Sequence, residues 1–154
     1  MVSPEGQEGE YFILEKKPGV ITIPKLENKT YLMIKSYRYP IGEYSVEFPA
    51  GSKEASQQNL LETAKTELAE ETGYRARKWT SLGIFAADPG HSSHRGEVFL
   101  AEDLVQGDPS READEIMENL KFSSDEIDKM VIKGEIVDSW TIVAWAKYRL
   151  SREK

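Results

Sequence analysis

Between Asn59 and Gly73 the apolar residues Leu60, Leu61, Ala64 and Leu68 recur at three- and four-residue spacing, and Gly73 stands where a helix takes a left-handed C-terminal residue. The pattern predicts an amphipathic helix through Thr72, and the helix dictates where its charges go. Glu67, Glu70 and Glu71 stand at i, i+3 and i+4 and therefore share one face. Three like charges on one face repel, and near the C-terminus the helix dipole adds about 0.3–1 kcal/mol per exposed carboxylate. A hard divalent cation reverses both penalties. Taken alone, such a cluster is more often a solvated helix face. Its flanks have to decide.

Around this helix the chain reads as strands first and helices last. Residues 11–14, 20–23, 31–37 and 44–48 are short β-prone runs separated by Lys17-Pro18-Gly19, Glu27-Asn28-Lys29 and the stretch before Tyr44. Further strands are expected at 79–85, 97–101 and 116–122. Ser123 or Ser124 caps a helix through 133, and Asp138 or Ser139 caps another through 148. This order predicts an α/β (α+β) domain: a mixed sheet with helices on its faces, the carboxylate helix on one of them. At 154 residues one domain over 1–154 is expected, with the Gly, Glu and Pro rich residues 1–9 loose.

Composition narrows the function classes. The net charge of -7, with no long basic stretch, argues against binding a nucleic-acid backbone. No long apolar run or leader-like N-terminus is present, so neither a membrane span nor secretion is expected, and the absence of cysteine fits a cytoplasmic protein. Without thiolates, a metal here is held by carboxylates, carbonyls or one of the two histidines.

The flanks supply the decision. Glu67-Leu68-Ala69-Glu70-Glu71-Thr72-Gly73-Tyr74 resembles the second half of the Nudix box, and Glu47-Phe48-Pro49-Ala50-Gly51 resembles the strand end and loop that open the box in its ADP-sugar branch. Three departures stand out: Thr66 occupies the box arginine position, Gln58 the first glutamate position, and Gly51 lies one residue early. Outside the box, Tyr37-Arg38-Tyr39-Pro40 looks like the Gln-Tyr-Arg segment of ADP-ribose pyrophosphatases with Ser36 in place of the glutamine. The segment from Ala86 to Ser93 and the run from Gly134 to Ile142 resemble a loop and a helix start in the same proteins, in the same order. His94 stands where many relatives carry a glutamate.

The resemblance implies a Nudix-like α/β/α sandwich and a Mg²⁺- or Mn²⁺-dependent pyrophosphohydrolase of a small nucleotide, with ADP-ribose foremost. Another nucleotide substrate, or a non-catalytic nucleotide-binding module, are the alternatives, the second because the box arginine and first glutamate are missing. It implies that Glu67 and Glu71 are the principal metal ligands, that Glu70 binds a further ion, and that the Ala50 carbonyl completes the shell. The general base is expected from the acidic loop 110–118, with Glu115 chosen over Glu112 and Glu118. Arg38 and Glu47 are candidate substrate contacts. His91 and His94 are candidates for metal or base assistance, against simple exposure; Trp79, Trp140 and Trp145 for adenine stacking, against packing. A homodimer is also implied.

Overall fold

The computed structural model describes residues 1–53, 59–107 and 117–152. Strand β1 (Gly19–Pro24) is buried at all six positions, as a strand covered on both faces must be. It runs antiparallel to β4 (Ala50–Ser52) and parallel to β6 (Arg95–Gln106), and β6 in turn pairs antiparallel with β5 (Tyr74–Ala86). The result is a four-stranded mixed sheet in the order β4-β1-β6-β5. The remaining strands, β2 (Thr30–Arg38), β3 (Glu43–Glu47) and β7 (Met117–Ser123), form a separate antiparallel sheet in the order β3-β2-β7. The mixed sheet expected from the sequence is thus present, and the other strands form a second, antiparallel sheet.

Helices cover β1 from both sides. On one side α1 (Leu60–Thr72) brings Ala64, with Leu60 and Leu61, against Val20 and Phe99. On the other, α3 (Ser139–Ser151) brings Ala144, Trp145 and Tyr148 against Ile21, Ile23, Tyr31, Met33, Phe48 and Val98. The alternation Val20, Ile21, Ile23 along β1 is what divides the core. Helix α2 (Ser124–Lys133) starts in a capping box between Ser123 and Glu126 and contributes Ile127 to the larger cluster. Asn59, Ser123 and Asp138 cap the three helices, each accepting a backbone N–H of the first turn, and of the cap candidates read from sequence it is Ser123 and Asp138 that serve.

The expected strand at 11–14 does not form. Leu14 makes a single bridge to Ser92, while Tyr11, Phe12 and Ile13 lie exposed. Their neighbour is a turn whose own N–H groups are committed, His91 and Ser92 both donating to the Asp88 carbonyl, so there is no strand edge to continue a ladder. Two strands run longer than expected, β5 by its pairing with β6 out to Gln106 and around a bulge at Ser81/Gly83. Among the described residues no helix is long and apolar enough to cross a membrane.

Candidate active site

The loop from β3 to β4 is pinned before any functional group is considered. Phe48 N–H donates to Thr141 Oγ1 of α3 at 3.0 Å, and the Pro49 carbonyl accepts from Thr22 N–H at 2.8 Å. Ala50 N–H then donates to Glu71 Oε2 at 3.1 Å, which ties the loop to the carboxylate helix. Glu71 is only 4% exposed, and this bond satisfies one oxygen of its buried carboxyl group.

Gly51 shows how closely the helix approaches. A Cβ built on it would overlap the carboxyl group of Glu67, so the Glu67 side chain lies directly over the Gly51 backbone. Glu67 thus meets Gly51 and Glu71 meets its neighbour Ala50, both at the start of β4, while Glu70 is exposed on the outer flank of the face. Gly51→Ala is expected to leave the melting temperature nearly unchanged, because a flexible carboxylate is what has to move. It should lower kcat/KM by about one to two orders of magnitude, the scale of a misplaced reacting group. Full activity in a folded Gly51→Ala protein would show that this placement of Glu67 is not required.

These donors suit a hard divalent cation: carboxylate oxygens and a loop carbonyl position, with a glycine leaving the room. Among the described residues no three carboxylate or imidazole side chains converge tightly enough to form a closed metal cage. The corner at Ala50 and Gly51 is an open two-carboxylate arrangement, the kind in which Mg²⁺ keeps waters and shares phosphate oxygens.

Beside this corner opens a cleft of about 580 Å³, lined by Arg38, Ser45 and Glu47 of the antiparallel sheet, by Ala50 to Ser52, by His94, and by Asp138 to Trp140 at the start of α3. A larger groove of about 820 Å³ lies around Lys25, Glu102 and Lys121; its lysines and carboxylates balance, and none of the carboxylates of α1 lines it. Arg38 and Glu47 face each other across the first cleft's wall: Nε donates to both Glu47 oxygens at 2.9 and 3.1 Å, and Nη2 to Oε2. Those bonds, ahead of the fields of Glu71 and Asp138, hold the Arg38 guanidinium above its ordinary pKa against the opposing effect of burial.

The other candidates separate. His94 lines the cleft with its ring 4.8 Å from that of Trp140, and burial followed by the charge of Lys16 pushes its pKa below the ordinary value. His91 is on the exposed turn with Asp88, 3.4 Å away. The three tryptophans serve packing: Trp145 is in the core with Nε1 bonded to Asp128, Trp79 packs beside Phe99, and Trp140 meets Phe85 edge-on. Glu115, Glu112 and Gln58 lie outside the described residues. Glu118 is in β7, opposite Lys35, rather than in a loop; its neighbour Asn119 donates to the Thr72 carbonyl of α1, so alternation turns Glu118 away from that helix. Ser45 and Asp138, which sequence reasoning did not assign to a site, line the cleft. Ser45 is two residues before Glu47 on β3, and the strand period alone places them on one face.

The NUDIX domain family profile matches residues 15–145. The chain is 32% identical over 143 residues to an ADP-ribose pyrophosphatase of Bacillus subtilis (strain 168), covering 92% of this chain and 77% of that protein. It is 29% identical over 144 residues to the methanol dehydrogenase activator of Bacillus methanolicus, with the same shares of 92% and 77%. Among solved structures, an ADP compounds hydrolase superposes with a TM-score of 0.79 at 18% identity, over 88% of this chain and 72% of that one. A NUDIX hydrolase from Nitrosomonas europaea gives 0.70 at 19%, over 88% and 89%. These two likenesses establish the fold.

Proposed function

This chain belongs to the NUDIX domain family and is a pyrophosphohydrolase of it, and within that family we propose that it cleaves nucleoside diphosphate derivatives, ADP-ribose first among them, to AMP and ribose 5-phosphate. The observation that carries the reading is the corner where Glu67 folds over Gly51 and Glu71 is held by the Ala50 N–H. The relative named an ADP-ribose pyrophosphatase supports the choice of substrate.

Glu67, Glu71 and the Ala50 carbonyl would hold a divalent cation, Mg²⁺ or Mn²⁺, with Glu70 on the outer flank for a further ion. Such ions offset the charge of a pyrophosphate and make a bound water more acidic. The chain's residues do the rest. Arg38, fixed by Glu47, and the cleft wall orient the nucleotide, so that attack is confined to one phosphorus. Glu115 is the proposed general base that takes the water's proton, with Glu112 as the alternative. The acidic surface implied by the charge of -7 leaves no duplex-binding role in this proposal. The proposed active form is a homodimer, which the exposed apolar side chains of Tyr11, Phe12, Ile13 and Leu14 support.

A substrate panel tests the assignment. With Mg²⁺ present, kcat/KM is expected to be highest for ADP-ribose and at least about tenfold lower for nucleoside triphosphates and dinucleoside polyphosphates, a margin of ~1.4 kcal/mol in transition-state binding. A higher value for a triphosphate or a dinucleoside polyphosphate would replace the substrate while keeping the chemistry.

A further inference from the structure

The cleft beside the carboxylate helix holds two hydrogen-bonding groups that have no partner among the described residues. Ser45 is 3% exposed, and its Oγ has no partner among the described residues; the same holds for Nε2 of His94. Both residues line the cleft, as do Ser139 and Trp140 at the start of α3. Buried polar atoms are almost always bonded, so two orphans in one cleft wall mark a place where a ligand completes the structure.

Charge and packing say which ligand. Among the described residues Arg38 is the only lysine or arginine lining the cleft, and Glu47 holds it; Asp138 adds a carboxylate, with Oδ2 engaged by Thr141 N–H. Among those residues a second phosphate group finds no uncommitted cation. Trp140 is equally committed. It meets Phe85 edge-on at 4.8 Å, lies against His94, and leaves so little space over Gly19 and Gly96 that a Cβ on either would come within 2.7 and 2.8 Å of its ring. It is not available as a platform for a purine. What remains is a hydroxyl, which donates and accepts, and an imidazole whose burial favours the neutral form, which does either by tautomer. That pair suits an uncharged polyol.

We propose that Ser45 and His94 form a subsite for the uncharged distal sugar of a nucleoside diphosphate sugar, and that they determine which diphosphate ester the chain accepts. The proposal rests on the reading of the neighbouring corner as a nucleotide pyrophosphohydrolase site. Contact with the sugar requires a rotation of the Ser45 hydroxyl about χ1 and of the His94 ring about χ2, since both atoms are buried as they stand.

The test compares ADP-ribose with the methyl ester of ADP, which keeps the nucleotide and the pyrophosphate and lacks the distal sugar. For the wild type, Ser45→Ala, His94→Ala and His94→Gln, kcat/KM and the calorimetric Kd are measured for both compounds. The wild type is expected to prefer ADP-ribose by about tenfold or more, and Ser45→Ala and His94→Ala each to shrink that ratio about fivefold to tenfold, chiefly through KM. His94→Gln, which keeps a donor and an acceptor, should retain most of the ratio. The melting temperature of Ser45→Ala should not fall, since the hydroxyl has no hydrogen-bond partner among the described residues. An unchanged ratio in both alanine variants overturns the subsite. If the wild type binds ADP-ribose more tightly than the methyl ester but hydrolyses neither, the hydrolase reading fails and the subsite stands; equal binding of the two, or binding of neither, overturns the subsite.

Discussion

Glu71→Gln is expected to lower turnover at saturating Mg²⁺ by about two orders of magnitude or more, ~2.7 kcal/mol of transition-state stabilisation, without unfolding the protein. The side chain is 4% exposed and bonded to Ala50 N–H through one oxygen. Glutamine has the same shape and keeps an oxygen for that donor, so the loop stays tied to α1. What disappears is one of the two carboxylate oxygens that would hold a divalent cation at this corner. Thermal melting and steady-state kinetics on the same preparation separate the two effects. Wild-type turnover in the folded variant would remove Glu71 from the mechanism.

Arg38→Ala is expected to have the largest effect on stability. It leaves Glu47, whose side chain is 7% exposed, without the guanidinium that now bonds both its oxygens. Breaking one half of a fully buried pair costs about 3–5 kcal/mol, and because the Arg38 side chain is 41% exposed, water reaches the vacated position and the cost should fall below that range. Adding Glu47→Gln to Arg38→Ala should recover part of the loss, since the stranded charge is gone. A double-mutant cycle by denaturant unfolding measures this, and a coupling energy near zero would mean that the two side chains act independently.

Much of this arrangement is legible in the sequence because it is local. Leu60, Leu61, Ala64 and Leu68 define the face of α1, Asn59 and Gly73 define its ends, and the positions of Glu67 and Glu71 follow. The caps at Ser123 and Asp138 set α2 and α3 in the same way. Partnership between distant segments is not legible. Residues 11–14 have strand composition, but β-propensity does not supply a free edge, and the turn at Asp88 to Ser92 offers only one bridge. The outer half of β5, with Arg75, Arg77 and Lys78, lacks a buried alternation because its ribbon with β6 projects into solvent there. Nor does any motif mark Ser45, whose significance arises only when β3, His94 and the start of α3 close around one cleft. Thr66, in place of the box arginine, is partly buried on α1, and nothing in the structure explains the exchange.

The most direct test of the central claim is product analysis of ADP-ribose incubated with the full chain, with Mg²⁺ and with excess chelator. Equimolar AMP and ribose 5-phosphate with Mg²⁺, and a rate lower by at least about a hundredfold with chelator, is the predicted result. Folded protein that releases no AMP in Mg²⁺, or that releases it equally fast in chelator, would contradict the assignment of the Glu67, Glu71 and Ala50 corner as a metal-dependent pyrophosphohydrolase site.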